Sequence, residues 1–439
     1  MTAAEPQASI PTPSNLAVDD AIAEAGYPDS KAHCTDKKLR IALLGYRSHP
    51  YVGGQGIYLK YLSAALADIG HEVHVFSGPP YPQLREDIRL HRINSLDLYA
   101  SPNHVKALRW RHLLSFSDFA EWWIMLTGGF GEPYTFGRRI AKRLKKHHFD
   151  IIHDNQCLAY GMLKLQRHST LVTTIHHPIH VDRKAAIKQA ANWKYRLLAK
   201  RWYSFVGMQE KVTRKLKNII TVSENSKHDI GTHYGIAEHV EVIPNGVDTE
   251  RFCPQPGIHR EPFCLLTTAS ADQPLKGLDV LLDALALVVK RHPSTRLLII
   301  GKLQPDGATE KQIHALGLTD CVDFQSGIDD QRLVEHYARA AVAICPARYE
   351  GFGLPALEAM ACGTPLISSN GGALPEVVGN AAYVVPAGDS DKLANGIIDL
   401  LTNREEAERL GQLGRERACT VFSWKKVAEK LTDYYLRIL

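Results

Sequence analysis

The sequence predicts an α/β protein built from two doubly wound parallel sheets. Short apolar runs alternate with amphipathic helical patterns through both halves of the chain, which favours strand–helix–strand units and parallel sheets. Glycine-containing turns directly follow several of these runs, and ligands of such sheets bind at the carboxyl ends of the strands. The length of 439 residues exceeds what one hydrophobic core usually supports, so we expect two domains.

Composition is that of a globular enzyme, with 45% apolar and 23% charged residues. No apolar run reaches the roughly 18 residues of a membrane span. Residues 1–37 are rich in alanine, proline and acidic groups and lack the basic start and apolar core of a signal peptide, so we expect a disordered extension. The eight cysteines are scattered without C-x-x-C pairs, which predicts reduced thiols in a cytoplasmic protein.

The first predicted strand leads into a glycine-rich turn. K-L-R-I-A-L-L-G (Lys38 to Gly45) is an apolar run that ends in glycine, as expected of a buried strand. V-G-G-Q-G follows, with Gly53, Gly54 and Gly56, and then a helical pattern. The spacing is neither that of a Walker loop nor G-x-G-x-x-G. A strand, a glycine turn and a helix can cradle an anion, and a plain tight turn is the alternative.

A further β-branched run ends in T-T-I-H-H-P (Thr173 to Pro178). His176 therefore follows the tip of a predicted strand, where it can face a cleft. His176, His177, His180 and Asp182 also suggest a metal site, because these residue types ligate transition metals. Their spacing is not H-E-x-x-H and no second cluster supplies further ligands, so we do not expect a metal.

The stretch E-G-F-G-L-P-A-L-E (Glu350 to Glu358) is the most informative part of the chain. The glycines around Phe352 let the main chain approach a ligand and leave its amides unobstructed. Pro355 suits the first turn of a helix that ends at Gly363. The helix N-terminus favours anionic or hydroxyl-rich ligands, and both carboxylates can accept hydrogen bonds from sugar hydroxyls. A solvated loop with a chance pair of glutamates is the alternative.

The remaining landmarks repeat the pattern of strand, turn and helix. Asn245 and Gly246 follow Pro244 in a turn suited to a hinge between domains. In chain order the landmarks are T-V-S-E-N-S (Thr221 to Ser226), V-I-P-N-G-V-D (Val242 to Asp248), Phe263 to Leu285, L-L-I-I-G (Leu297 to Gly301), V-D-F-Q-S-G-I-D-D (Val322 to Asp330), V-A-I-C-P-A (Val342 to Ala347), N-G-G-A-L-P-E-V-V (Asn370 to Val378) and F-S-W (Phe422 to Trp424).

In content and order these landmarks, from about Leu39 to Trp424, resemble the retaining family-4 glycosyltransferases, the group-1 glycosyl transferases of the GT-B fold. Two glutamates separated by seven residues are that family's signature. The resemblance implies two Rossmann-like domains that face a cleft. The acceptor-side domain would cover residues 38–245, the donor-binding domain 246–424, and the last helix, 425–439, would return to the first domain.

The resemblance also implies roles for individual residues. Glu350 and the following amides would hold the donor sugar, Glu358 the nucleotide ribose, and His176 would donate or accept a hydrogen bond with the sugar. His177 stands where the family often has aspartate or glycine, and its role is open. The implied donor-binding residues are Gly53, Gly54, Gly56, Ser270, Lys276, Gly277, Phe352, Gly353, Leu354 and Glu358, and the implied catalytic residues are His176, Lys276 and Glu350.

One departure concerns the diphosphate clamp. The family usually has an arginine and, after a short spacer, a lysine followed by glycine. Lys276 and Gly277 match the second half, whereas Ser270 stands about where the arginine should be. A serine cannot replace a bidentate guanidinium, and a charge-assisted contact to phosphate contributes roughly 1.5–3 kcal/mol. What replaces this arginine is open.

Charge is concentrated in one stretch. The whole chain carries a net charge of +5, yet residues 183–217 hold eleven lysines and arginines against one acid, Glu210, with Trp193, Tyr195 and Trp202 among them. We expect these charges on one or two long helices. A second basic run, Arg138 to Lys146, follows W-W-I-M-L. Such helices can bind the inner face of an anionic membrane; a solvated helix with inward-packed aromatics is the alternative, and no nucleic-acid motif accompanies the charge.

An aspartate pair could suggest a cation. Asp389-Ser390-Asp391 reads D-x-D, the metal motif of the other large glycosyltransferase fold. It precedes a helical pattern, however, which favours helix capping. The resemblance implies no metal and no cofactor, with a nucleotide-diphosphate sugar as substrate.

These observations predict a metal-independent, retaining glycosyltransferase that moves a sugar to an acceptor hydroxyl, with a lipid-linked acceptor as one option. Two other hypotheses stay open at the level of sequence. One is a catalytically silent protein that binds nucleotide sugars and recruits a partner, which the missing arginine favours. The other is a nucleotide-sugar epimerase of the same fold.

Overall fold

The computed structural model describes residues 37–50, 54–98, 109–190 and 192–439. The predicted extension over residues 1–37 lies almost wholly outside this range. The described strands form two sheets in which every pairing between named strands is parallel. The predicted α/β class with two doubly wound parallel sheets is therefore confirmed.

The first sheet has seven strands in the order β3-β2-β1-β4-β5-β6-β7, and the second has six in the order β10-β9-β8-β11-β12-β13. Strands β4 and β5 are buried along their whole length, as expected where helices cover both faces of a sheet. The strands are β1 (Arg40–Gly45), β2 (Glu72–Ser77), β3 (Arg89–Arg92), β4 (Ile151–Asn155), β5 (Leu171–Ile175), β6 (Asn218–Thr221), β7 (Val240–Val242), β8 (Glu261–Thr268), β9 (Arg296–Ile300), β10 (Val322–Gln325), β11 (Ala340–Cys345), β12 (Leu366–Ser369) and β13 (Tyr383–Val385).

Helices connect these strands and pack on both sheets. The described helices are α1 (Gly54–Asp68), α2 (Phe116–Leu126), α3 (Glu132–Leu144), α4 (Tyr160–Leu165), α5 (His180–Gln189), α6 (Trp193–Trp202), α7 (Val206–Thr213), α8 (Glu224–Tyr234), α9 (Leu278–Arg291), α10 (Ala308–Ala315), α11 (Asp330–Arg339), α12 (Leu354–Ala361), α13 (Leu374–Val378), α14 (Ser390–Thr402), α15 (Arg404–Val421) and α16 (Trp424–Ile438), with short 3-10 turns at Trp110–Leu114, Tyr203–Phe205, Ala237–His239 and Pro274–Lys276.

The last helix belongs to the first sheet's core. Trp424 and Tyr435 of α16 are buried against residues of β1 and α1, and Tyr435 Oη lies 2.5 Å from Nδ1 of His153 in β4. The two connections between the sheets run side by side, because Val247 N donates to Phe422 O at 2.8 Å. The sheets lie on either side of Asn245, and a domain boundary at that residue stays a prediction.

The basic stretch differs from the expectation of one or two long helices. It forms three short ones, α5, α6 and α7. Asn192 starts α6 anew, because its side chain accepts hydrogen bonds from the amides of Lys194 and Tyr195, and an asparagine cap of this kind marks a helix N-terminus. A 3-10 turn at Tyr203–Phe205 then separates α6 from α7.

Candidate functional site

The candidate site lies where the strand order of each sheet reverses. Such reversals, between β1 and β4 and between β8 and β11, open a crevice at the carboxyl ends of the strands. The two crevices face each other. A Cβ atom on Gly54 would lie 3.9 Å from Leu354 Cδ1, and one on Gly351 would lie 3.5 Å from His176 O. The glycine turn and His176 of the first sheet thus meet the loop after β11.

The loop that carries Glu350, hereafter the donor-side loop (residues 346–358), holds an ion pair with Lys276. Lys276 Nζ lies 2.7 Å from Glu350 Oε2, and the Glu350 side chain is 16% exposed. Burial alone would lower the pKa of Lys276, but the charge and hydrogen bond of Glu350 outweigh burial and raise it. Lys276 therefore stays protonated at neutral pH.

A close contact between main chains sets this geometry. Gly277 has φ +68°, and a Cβ atom there would lie 2.1 Å from Pro346 O. The amides of Arg348 and Tyr349 also donate to Leu275 O, at 2.8 and 3.3 Å. Only glycine fits this left-handed position so close to a carbonyl, which explains why the lysine is followed by glycine.

Glu358 lies on α12, one turn inside the helix whose first residues complete the donor-side loop. Burial raises the pKa of its carboxyl group to about 8; a hydrogen bond from Tyr337 opposes this shift and the charge of Asp330 adds to it. Tyr337 Oη donates to Glu358 Oε2 at 3.3 Å. A carboxyl group with this pKa is largely protonated at neutral pH, so it can both donate to and accept from a hydroxyl group.

The residues between the two glutamates are held by packing. The Phe352 side chain is 4% exposed and lies edge-on to Phe422, with ring centroids 5.9 Å apart, so only its main chain can reach a ligand. Gly353 has φ +107° and caps α12, and Pro355 stands in the first turn. The predicted loop, proline and helix are confirmed, and Leu354 Cδ1 lies 3.9 Å from the Cβ position of Gly54.

His176 follows β5, and its ring is neutral. Burial lowers its pKa to about 3. Nε2 lies 2.7 Å from Asn155 Oδ1, while Asn155 Nδ2 donates to Gln55 O at 3.1 Å. Because the amide oxygen of Asn155 faces the ring, Nε2 carries the proton and Nδ1 is an acceptor. Edge-to-face contact with Tyr58, at 4.8 Å between centroids, also orients the imidazole.

The other histidines of T-T-I-H-H-P-I-H take separate partners. His177 Nε2 lies 3.1 Å from Asp182 Oδ2, and His180 Nε2 lies 2.6 Å from Glu210 Oε1. Within the described part of the chain, no group of three or more histidine, cysteine or acidic side chains is arranged to hold a metal ion. The D-x-D aspartate Asp389 caps α14 by accepting from Lys392 N at 2.8 Å, in line with the predicted capping role.

The glycine turn after β1 ends in the N-terminus of α1. This helix has no acidic residue in its first turn, so its dipole and free amides favour an anion. Gly56 is buried, and a Cβ atom there would lie 2.1 Å from His49 O, which requires glycine for packing reasons alone. Gly53, also predicted to bind the donor, lies outside the described residues.

Ser270, at the position where the resemblance implies an arginine, lies in the turn after β8 and is exposed. Arg348 lies near the Pro274–Lys276 turn, where its Nη1 donates to Pro274 O at 3.0 Å. Its guanidinium pairs with both carboxylate oxygens of Asp279, at 2.5 and 2.7 Å. The structure thus places an arginine beside the turn that carries Lys276, and that arginine is held by an acid.

Several residues of the site were not predicted from the sequence. Asn155 and Gln156 orient His176 through its ring and its amide, both at 2.7 Å. Tyr337 binds Glu358, and Ser226 lies 2.8 Å from His176 O. The polar pair that ends the apolar run I-I-H-D-N-Q was a usable signal for the first two residues, because polar side chains at strand ends line such crevices.

Away from the cleft, α2 and α6 expose large apolar side chains beside basic ones. Helix α6 has no buried residue, so its aromatics do not all pack inward. Arg201 of α6 donates to Oγ1 of Thr127, the residue that follows α2, at 2.7 Å. We call residues 110–126 and 180–202 the aromatic–basic surface. Its side chains that are more than half exposed include Trp110, Leu113, Leu114, Phe116, Trp123, Trp193, Tyr195, Leu197 and Leu198.

The second basic run contributes less to this surface. Arg139 is internal and pairs with Asp118 and Glu121, at 2.6 Å each. Arg138 lies over the Phe116 ring, 4.7 Å from its centroid. No helix among the described residues is long and apolar enough to cross a membrane.

Comparison with known proteins places the chain among sugar transferases. The profile described as "Glycosyl transferases group 1" matches residues 251–417, and "Glycosyltransferase Family 4" matches residues 52–251. A protein of Mycolicibacterium hassiacum, named MMP alpha-(1->4)-mannosyltransferase, is 45% identical over 406 residues, which are 90% of this chain and 98% of that relative.

Two further similarities have lower sequence identity. A Mycobacterium tuberculosis protein, named GDP-mannose-dependent alpha-(1-6)-phosphatidylinositol monomannoside mannosyltransferase, is 31% identical over 253 residues, 53% of this chain and 66% of the relative. The structure of sucrose-phosphate synthase from Thermosynechococcus elongatus matches with a TM-score of 0.66 at 25% identity and covers 91% of this chain and 99% of that one.

Proposed function

The chain belongs to the group 1 glycosyl transferases of family 4, with the GT-B fold, and from this premise we propose that it transfers mannose from a nucleotide-diphosphate mannose to an acceptor hydroxyl. Glycosyl transfer itself follows from the family and from the relative that is 45% identical along 90% of the chain. The donor sugar is the proposal. Nothing in these similarities favours the recruitment protein or the epimerase over a transferase.

The ion pair of Lys276 and Glu350 is the observation that carries the proposed site. Lys276 supplies the positive charge that a leaving diphosphate requires. Glu350 keeps the lysine protonated and has a second oxygen for a sugar hydroxyl. His176, neutral with Nδ1 as acceptor, binds a second hydroxyl, and Glu358 binds the ribose.

We propose retention without a metal ion. The bond between the anomeric carbon and the β-phosphate oxygen breaks, and the acceptor oxygen bonds to the same face of that carbon. The acceptor proton passes to the leaving phosphate, so no enzyme base is required. Lys276 and the N-termini of α1 and α12 stabilise the developing negative charge, and closure about Asn245 would exclude water.

The base of the donor is proposed to be guanine, because the M. tuberculosis relative carries GDP-mannose in its name. Thermal unfolding with GDP, UDP and ADP and their sugar conjugates, without added metal, tests this. A ligand at 100 times its dissociation constant stabilises the folded protein by about 2.7 kcal/mol. We expect a shift with GDP and GDP-mannose that Lys276→Ala weakens. A shift with UDP alone would contradict the guanine assignment, and no shift at all would contradict the site.

Transfer is tested with GDP-mannose and a mannose-containing acceptor, and the anomeric configuration of the product is read by NMR. We expect an α-linkage. An equal yield with Glu350→Ala would contradict the assignment of the sugar site. Epimerisation of GDP-mannose without an acceptor would favour the epimerase.

We also propose that the aromatic–basic surface contacts an anionic membrane at its cytoplasmic face, which would suit a lipid-linked acceptor. Exposed tryptophans beside lysines and arginines are typical of interfacial helices. The full chain should sediment with vesicles that contain phosphatidylserine and not with phosphatidylcholine alone, and salt should weaken this binding. Failure to bind anionic vesicles at low salt would contradict this part of the proposal and leave the donor site unaffected.

A further inference from the structure

The N-terminus of α8, which follows β6 of the first sheet, touches the donor-side loop of the second. Ser223 Oγ donates to Gly351 O at 3.0 Å. Ser226 Oγ lies 3.1 Å from the same oxygen and 2.8 Å from His176 O. Because one hydroxyl hydrogen is shared between these two carbonyls, Ser226 links the strand end that presents His176 to the loop that presents Glu350.

Glu376 binds the same helix N-terminus from the opposite side of the cleft. Its carboxylate accepts from Glu224 N at 2.7 Å through Oε2 and from Asn225 N at 2.7 Å through Oε1. The first amides of a helix have no partner within the helix, and they favour an anion. Here the anion comes from α13, which packs on the second sheet, so the contact joins the two halves of the molecule.

The segment before Glu376 is packed directly against Glu350. Ala373 N donates to Glu350 O at 2.9 Å. Gly372 has φ +65°, and a Cβ atom there would lie 2.3 Å from Glu350 O. The two loops therefore have no room to move independently. One turn further along α8, Asp229 Oδ2 accepts from Tyr349 Oη at 2.6 Å, so the residue before Glu350 is held by the same helix.

We infer that Glu376 and Ser226 are positioning residues for sugar transfer. Glu376, docked on the N-terminus of α8, and Ser226, which joins the main chains at His176 and Gly351, hold the two sugar-binding side chains at a set separation across the cleft. The inference rests on the proposed function, because it assigns a task to contacts around the same site. Lys276 and Glu358 both lie in the second half, so the nucleotide part of the site does not depend on this contact.

The test uses Glu376→Gln and Ser226→Ala in the full-length enzyme, with Glu238→Gln as the matched control. Glutamine keeps the size of Glu376 but replaces one acceptor oxygen with an NH2 group, which cannot accept from an amide. Glu238 is exposed just beyond the same helix. We expect kcat of Glu376→Gln to fall about tenfold or more, with the dissociation constant of GDP unchanged within about twofold.

A merely structural role would change Tm and GDP affinity together. Glu376→Gln and Ser226→Ala act on one contact. The loss of kcat in the double variant should therefore be smaller than the product of the two single losses. When Glu238→Gln is combined with Glu376→Gln, the double variant should show the product of the two single effects. Should Glu376→Gln fail to fold, Ser226→Ala alone must still show the loss of kcat with retained GDP affinity.

Two results separate this inference from the proposed function. If kcat of both variants stays within about twofold of the parent while Lys276→Ala abolishes transfer, the positioning role is wrong and the proposed function stands. If Lys276→Ala and Glu350→Ala also leave transfer intact, the proposed site itself is wrong.

Discussion

The donor-side loop and the aromatic–basic surface differ in how closely their residues are packed. Gly277 and Gly372 pack against carbonyl oxygens of the donor-side loop. Within the loop, the Glu350 side chain is mostly buried and pairs with Lys276, and Glu358 accepts a hydrogen bond from Tyr337. In the aromatic–basic surface, helix α6 buries no residue at all. The first region tolerates little change because each atom has a close neighbour. The second is adaptable, and its substitution should leave folding unaffected.

The largest expected effect is on the rate of transfer. Glu350→Ala removes the partner of Lys276 and one hydrogen-bond acceptor for the sugar, and we expect kcat to fall by about 10²–10³-fold. The pKa of Lys276 should also fall, because Glu350 raises it in the folded protein. Steady-state kinetics measure the rate. Glu250→Ala, at an exposed position, is the control, and equal losses of kcat in both variants would contradict the role assigned to Glu350.

The next effect is on the free energy of unfolding, through the contact between Gly277 and the donor-side loop. Gly277→Ala places a Cβ atom 2.1 Å from Pro346 O at φ +68°, and we expect it to destabilise the fold by about 1–3 kcal/mol. Gly207→Ala is the matched control in helix α7, because a Cβ atom there meets nothing within 4 Å. It should be neutral or stabilise by up to about 1 kcal/mol. Denaturant titration distinguishes them, and an unaffected Gly277→Ala would contradict the packing argument.

A smaller effect links Glu358 to pH. Its folded-state pKa is about 8, above the value of about 4.3 for an unfolded glutamate. Between these values the native state binds more protons than the unfolded state, so stability falls as pH rises through this window. Glu358→Gln should remove part of that fall. Tm measured from pH 5 to pH 8 for both proteins checks this, and parallel curves would contradict the raised pKa.

The smallest effect is expected in the aromatic–basic surface. Lys200→Ala should weaken binding to phosphatidylserine vesicles about fivefold, because one basic residue near an anionic surface contributes roughly 1 kcal/mol. Tm and kcat on a soluble acceptor should not change. Lys392→Ala, at an exposed position in the other half, is the control. A lower Tm for Lys200→Ala would contradict the expectation that the aromatic–basic surface, unlike the donor-side loop, can be substituted without affecting folding.

Much of the fold could be predicted from local patterns. The strand at Arg40–Gly45 and the proline-started helix at Leu354–Ala361 lie where the apolar run and Pro355 predicted them. The helices of the basic stretch were predicted too long, because the cap at Asn192 was overlooked. The donor-binding role of Phe352 stays a prediction, and its buried side chain limits that role to the main chain.

The sequence named candidate residues for the site, but it did not predict the contacts between them. Lys276 was expected at the diphosphate and Glu350 at the donor sugar, but their ion pair, between residues 74 positions apart, was not predicted. The tautomer of His176 depends on Asn155, and the exposure of Trp193 depends on what α6 fails to pack against. No pattern in a short stretch of sequence reports such relations, because they depend on the order of strands in the sheets.

By itself, the sequence determined the class of fold, the turns that need glycine, the helix starts and the pair of glutamates, because each depends on neighbours within a few residues of the chain. Tertiary structure alone decided that Ser223, 128 residues before Gly351, would bind its carbonyl, and that Glu376 would dock on a helix of the other half. Such contacts form only when the two sheets lie face to face, since the free energy of each contact depends on a distance that local sequence does not set.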